Sequence, residues 1–175
     1  MVPQTGIYQQ FKNFVFEKIV NMEKTEWRKD EYLLSTDKSK IEVEIVHRFL
    51  VHSYWAESIP LEVVKKSIDN SLCFAIYRHQ KLAGFARVIS DFATFAYLAD
   101  VFILPEERGK GLSTWLMETI MGYPQLQGLR RFTLATRDAH GLYERFGFTL
   151  FDKPERWMQK HDPDVYRRNV NREPA

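Results

Sequence analysis

Residues 94–104 constrain the fold of this chain more than any other stretch. Thr94-Phe95-Ala96-Tyr97-Leu98-Ala99-Asp100-Val101-Phe102-Ile103-Leu104 is dense in aromatic and β-branched residues and reads as a buried central strand. Pro105, which cannot donate to a ladder, stops it. A loop carrying Gly109 and Gly111 follows and runs directly into a helix with Leu112, Trp115, Leu116 and Ile120 on one face. An apolar strand that feeds an amphipathic helix through a glycine turn needs helices packed on a sheet.

The remaining segments agree with that architecture. Tyr32-Leu33-Leu34 reads as a short strand ended by Ser35-Thr36-Asp37. Ile41, Ile45, Val46, Phe49 and Leu50 fall on one helix face, with Asp37 or Ser39 as its cap. Pro60 suits the first turn of a second helix through Val63, Val64 and Ile68. Leu72 to Tyr77 and Leu82 to Ile89 form a hairpin around Arg78-His79-Gln80-Lys81. Phe132-Thr133-Leu134-Ala135 is a further strand, and a short helix from Asp138 to Arg145 closes at Gly147. Phe148 to Phe151 reads as a last strand, Trp157 and Met158 as cover for a sheet edge, and the polar tail as frayed. The fold class is therefore α/β, or α+β: a mixed sheet flanked by helices on both sides.

Composition narrows the function classes. At 175 residues the chain has the size of one domain, and 45% hydrophobic with 27% charged residues excludes disordered and fibrous classes. A domain of this length buries roughly 70% of the surface of its unfolded chain, enough for a core without staples. A net charge of +2 gives no basic field for nucleic acid or an anionic membrane, so neither partner is expected. Cys73 is the single cysteine, so there is no internal disulfide, and no Cys/His cluster suggests a metal. His47 and His52, five apart, do not share a helical metal face. No apolar run reaches the ~20 residues of a membrane span, and the N-terminus lacks signal-peptide order, so a cytoplasmic protein is expected.

Residues 1–30 stand apart as an extension. Ile7, Phe11, Phe14, Val15, Ile19 and Met22 follow helical spacing, which suits a helix laid on its own domain, on a second subunit of a homodimer, or on a partner or membrane surface. The main domain is placed at 31–160 and a polar tail at 161–175.

The loop between strand and helix carries the chemistry. Glycines let the main chain approach a ligand closely, and the first N–H groups of a helix have no internal acceptor. Those donors, at the positive end of the helix, suit a phosphate or diphosphate, although such turns also serve geometry alone. GxxxxGK[ST] fails because Leu104 stands where its first glycine belongs, and GxGxxG fails at Thr114.

Arg108-Gly109-Lys110-Gly111-Leu112-Ser113 resembles the R/Q-x-x-G-x-G/A signature of the GCN5-related N-acetyltransferases, the GNAT superfamily. Ala139-His140-Gly141-Leu142-Tyr143-Glu144-Arg145-Phe146-Gly147-Phe148 is similar to the A-x-x-L-Y-x-x-x-G-F element of the same fold, and the likeness spans residues 31–151. It implies the GNAT acyl-CoA N-acyltransferase fold, with acetyl-CoA as cosubstrate and a primary amine of a small molecule or peptide as acceptor. It also implies that the main chain of Val101 and Ile103 pairs with the pantetheine arm and that the amides of Arg108, Gly109, Lys110, Gly111, Leu112 and Ser113 hold the diphosphate. Ser113 replaces the usual glycine or alanine. Thr136 stands where many relatives carry an asparagine that contacts pantetheine.

In this reading the amine attacks the thioester directly, and Tyr143 stands at the position of the acid that protonates the leaving sulfur. Its alternative is a core tyrosine bonded to a carbonyl. Some polyamine-acetylating relatives have a glutamate base where this chain has Ala99. Asp100 is the nearest carboxylate, but neighbouring strand residues face opposite ways unless a bulge intervenes. His140 has a pKa suited to proton transfer, and Asp138 fits the helix N-cap. Tyr54, Trp55 and Glu57 in the loop between the first helices, and Asp91 in the 90–95 turn, are candidates for receiving a cationic amine. The absence of glutamate at Ala99 motivates a rival, a non-catalytic acyl-CoA-binding module. No metal is expected.

Overall fold

The computed structural model describes residues 24–170, so the amphipathic pattern of residues 7–22 lies outside the described residues. Six strands form one sheet in sequence order: β1 (Glu26–Lys29), β2 (Tyr32–Ser35), β3 (Leu72–Arg78), β4 (Lys81–Ser90), β5 (Phe95–Ile103) and β6 (Arg131–Leu134). All neighbours are antiparallel except β5 and β6, which run parallel and therefore need a crossover between them.

That crossover is the helix α3 (Leu112–Met121), reached through a 3-10 turn at Pro105–Glu107. Helices α1 (Val43–Leu50) and α2 (Leu61–Asp69) cover the opposite face. β3 shows why its sequence is apolar at every position from Leu72 to Tyr77. Leu72, Phe74 and Ile76 join Leu112, Leu116 and Ile120 in one core, whereas Cys73, Ala75 and Tyr77 join Val46, Leu50, Val64 and Ile68 in the other. A strand buried on both faces has no reason to alternate.

The hairpin between β3 and β4 turns at His79 and Gln80, both with positive φ (47° and 68°), the geometry of a two-residue hairpin loop. Gly84 sits where β4 approaches β5. A β-carbon there would lie 2.5 Å from Ile103 Cδ1 and 3.1 Å from the Phe102 carbonyl oxygen.

Five sequence expectations need correction. The sheet begins inside the segment read as an extension, because β1 pairs with β2; it has a single apolar residue, Trp27, which packs against Phe74 and Tyr123. Residues 148–151 form no strand: Phe148 turns inward onto Phe132 and Tyr143 while Leu150 stays 79% exposed, so the segment has no face to bury. Asp37 caps the 3-10 turn Lys38–Lys40 through the Ser39 amide rather than α1. The described part of the tail holds a helix, α5 (Val165–Val170), whose Arg167 pairs with Glu57 and whose Tyr166 packs beside the α1/α2 core. Trp157 does reach the β6 edge, with the Arg131 guanidinium 4.7 Å from its ring, but Met158 is exposed and covers nothing. Among the described residues no helix is long and apolar enough to cross a membrane.

Candidate active site

β5 and β6 pair only from Phe95 to Leu98 and from Arg131 to Leu134. Past those residues the ladder ends and a cleft opens between the strands. One half, about 460 Å³, is lined by Tyr97, Ala99, Asp100, Thr136 and Arg137 among others. The other, also about 460 Å³, is lined by Ile103, Glu107, Arg108, Gly109, Gly111 and Ser113. The halves share Tyr54, Trp55, Val101, Asp138, Ala139 and Tyr143 as walls.

The second half is built from main chain. Arg108 N–H donates to the Pro105 carbonyl (3.3 Å), and the first bond of α3 runs from Trp115 N–H to the Gly111 carbonyl (3.1 Å). Between them, the amides of residues 109–114 meet no acceptor among the described residues. Gly109 and Gly111 have φ of 77° and 74°, the left-handed region that favours glycine, and a β-carbon on either would meet no atom within 4 Å. A run of unpaired N–H groups at a helix N-terminus fits a phosphate or diphosphate. Arg108 itself turns back, its Nε donating to the Ile103 carbonyl (3.1 Å). Ile103 thus keeps only part of the main-chain capacity expected of it. Val101 has no register partner on β4, because the ladder skips from Phe85–Phe102 to Arg87–Ala99.

That skip is a β-bulge centred on Asp100, whose φ is +53°. The extra residue turns the Asp100 side chain onto the α1/α2 face, where Arg87 Nε binds Oδ2 and Trp55 Nε1 donates to Oδ1 (3.2 Å). Arg87 also donates to Ser71 Oγ (3.2 Å). The Asp100 carboxylate, 8% exposed, lines the cleft, yet both its oxygens already have donors. In the structure the Asp100 carboxylate therefore anchors Trp55 and Arg87.

Tyr143 lies on α4 (His140–Glu144) and is buried with its edge toward Phe148. Its hydroxyl makes no hydrogen bond among the described residues, so the bonded-core alternative is absent there. Burial first, then the nearby Tyr54 and Asp138, push its pKa up to about 12. The phenol therefore stays protonated across the neutral range.

Tyr54 and Trp55 bridge the two halves. The Tyr54 hydroxyl accepts from the Arg137 N–H (3.0 Å), the Arg137 guanidinium lies 3.9 Å from the Tyr54 ring centre, and Trp55 meets Tyr54 edge-on at 4.9 Å. The strap joins the α1–α2 loop to the β6–α4 loop across the cleft.

Other candidates fall elsewhere. His140 lines an adjoining depression with Glu144 and residues 147–152, which shares Leu134, Ala135, Thr136 and Tyr143 with the first half of the cleft but not Asp100 or Val101. Asp138 does not cap α4; Thr136 Oγ1 accepts the Ala139 N–H (3.1 Å) instead, which leaves the hydroxyl's own proton to donate. Glu57 pairs with Arg167 (2.8 Å) outside the cleft. Asp91 accepts from the amides of Ala93, Thr94 and Phe95 and from the Thr94 hydroxyl, bonds that hold its carboxyl far below the usual range. It closes the turn that leads into β5. Among the described residues no group of three or more His, Cys, Asp or Glu side chains could hold a metal.

Sequence reasoning missed Arg87, Tyr97, Arg137, Glu107 and Tyr32. One signal was present: Arg87 and Asp100 are lone charges in two otherwise apolar strands, and buried charges need partners.

Residues 25–148 match the model of the acetyltransferase (GNAT) family. A candidate acetyltransferase of Gibberella zeae is 30% identical over 150 residues, covering 71% of this chain and 83% of its own length. The crystal structure of a candidate acetyltransferase of the GNAT family from Xanthomonas campestris pv. campestris is 51% identical, with a TM-score of 0.76 over 77% of this chain and 96% of that one. An acetyltransferase from Clostridium acetobutylicum, assigned by prediction and crystallised with acetyl-CoA, shares the fold at 15% identity and a TM-score of 0.53, covering 74% of this chain and 94% of its own. The glycine loop at the head of α3, the strands that part beside it and these matches lead to one conclusion: the chain belongs to the GNAT family of acetyltransferases.

Proposed function

We propose that this chain is an N-acetyltransferase that moves an acetyl group from acetyl-CoA to a primary amine of a small molecule or peptide. The observation that carries the reading is the run of unpaired amides at residues 109–114, opening on a cleft whose shared wall holds the unbonded hydroxyl of Tyr143. Bound acetyl-CoA supplies the thioester carbonyl and the sulfur leaving group. The amides of 109–114 hold the diphosphate at the positive end of α3, and Ser113 adds a hydroxyl donor. Val101, freed from β4 at the bulge, offers its main chain to the pantetheine arm. Tyr143, kept neutral by burial, donates its proton toward the sulfur as charge grows there. The strap of Tyr54 and Trp55 covers the junction of the halves and keeps water off the reacting centre. The acceptor enters the half lined by Tyr97, Ala99 and Arg137; with Asp100 committed to Arg87 and Trp55, its amine loses a proton to solvent.

The committed state of Asp100 also favours a second reading, a module that binds acetyl-CoA without turnover. Purified protein, acetyl-CoA and a panel of amines, with free thiol read by a chromogenic reagent, separates them. Amine-dependent thiol release supports the enzyme; binding without release across the panel supports the module; no binding of acetyl-CoA at millimolar concentration overturns both.

A further inference from the structure

The loop that presents the free amides is fastened by a residue that the glycine signature does not contain. Glu107 ends the Pro105–Glu107 turn and is 9% exposed, so its carboxylate is buried beside the very surface expected to receive an anion. A buried charge needs partners, and a negative one next to a diphosphate gives nothing to binding through its own field. Its partners are specific. Oε2 accepts from the Tyr32 hydroxyl (2.8 Å) and from Lys110 Nζ (2.5 Å), and Oε1 faces Arg78 Nη1 at 3.5 Å. Tyr32 and Arg78 are register partners on β2 and β3, so the contacts tie the loop to a rigid part of the sheet. Lys110 ties its far side, three residues on and next to Gly111. The stretch from 107 to 110 is thus held at both ends while the amides after it stay unpaired.

We propose that Glu107 is a positioning residue: through Tyr32, Arg78 and Lys110 it fixes the glycine loop so that the amides of 109–114 converge on the diphosphate. The inference rests on the acetyl-CoA reading above. It also gives the Lys110 ammonium a role in holding the loop, through its bond to Glu107.

The test compares two ligands, acetyl-CoA and S-acetylpantetheine, which shares the thioester arm but lacks the diphosphate. Each is titrated by calorimetry into wild type, Glu107→Gln and Tyr32→Phe, with Tm recorded alongside. Glu107→Gln weakens acetyl-CoA by about 10-fold and Tyr32→Phe by about 3-fold, with S-acetylpantetheine changed less than about 2-fold, because the lost preorganisation concerns the diphosphate alone. Equal loss for both ligands marks general damage to the fold and overturns the assignment; so does unchanged or tighter acetyl-CoA binding in both variants. Should Glu107→Gln fail to fold, Tyr32→Phe, which removes one donor and no charge, carries the same test. Wild type that binds S-acetylpantetheine or acetyl-CoA normally while the variants behave identically fails Glu107 alone; wild type that binds neither fails the functional reading itself.

Discussion

The two halves of the cleft are made of different material. The half at the head of α3 presents main-chain amides and glycines, whereas the half beyond the bulge presents side chains from β4, β5 and two loops. A site made of backbone depends on local conformation, so a short motif encodes it. A site made of side chains depends on which strands and loops meet, and its charges are settled by partners far away in sequence. Arg87 and Asp100 are 13 residues apart, Tyr54 and Arg137 83.

The contrast can be broken first at Gly111. Gly111→Asp forces a side chain into a left-handed conformation and sets a carboxylate against the anion site. Two like charges about 4 Å apart near a protein surface repel by ~4 kcal/mol, so acetyl-CoA affinity falls by about 1000-fold. Calorimetry reads it, and retained affinity removes the loop from the site.

Asp100→Asn tests the other half. It leaves the Arg87 guanidinium, only 17% exposed, without its counter-charge, and costs about 3 kcal/mol of stability by urea unfolding. Acetyl-CoA binding changes little, since the diphosphate half is untouched. A variant as stable as wild type but catalytically dead restores Asp100 as the base.

Tyr143→Phe lowers kcat by about 100-fold with acetyl-CoA affinity nearly unchanged, within the range of general acid catalysis. The pH dependence has a definite sign. With its pKa raised to about 12, Tyr143 keeps its proton while the unfolded chain begins to lose it near the ordinary tyrosine value of about 10. Its stabilising share is present below pH 10 and disappears as pH rises toward 12, and kcat shows no alkaline loss from this residue through pH 9. Cys73, also raised to about 12 by burial, adds to the same alkaline unfolding.

The smallest effect is expected at Asp91. Asp91→Ala opens the 90–95 turn and lowers Tm by about 5 °C, with no change in acetyl-CoA or acceptor KM. An altered acceptor KM at unchanged Tm returns Asp91 to substrate binding.

These cases explain what could be read from sequence. The order of strands and helices, the hairpin at His79-Gln80 and the glycine turn were legible because apolar periodicity and turn residues are local signals. β1 was not, since Glu26-Trp27-Arg28-Lys29 is held to the sheet by backbone pairing with only Trp27 to bury. The apparent strand at 148–151 failed for the opposite reason: Phe148 and Phe151 found rings to pack against rather than a strand to pair with. Glu57 and Asp100 have the right chemistry for an amine, but each carboxylate is spent on a donor whose nearness only the folded chain creates, whereas Asp91 is taken by the amides of its own turn. Glu107 was invisible because nothing in Pro105-Glu106-Glu107-Arg108 says which glutamate turns inward toward Tyr32.

The most direct measurement is amide NMR of the isotopically labelled protein during titration with acetyl-CoA. The account predicts saturable shifts that are largest at the N–H groups of residues 109–114, with smaller ones at Val101 and around Tyr143. Shifts confined to other parts of the sheet, or none at millimolar ligand, would contradict it.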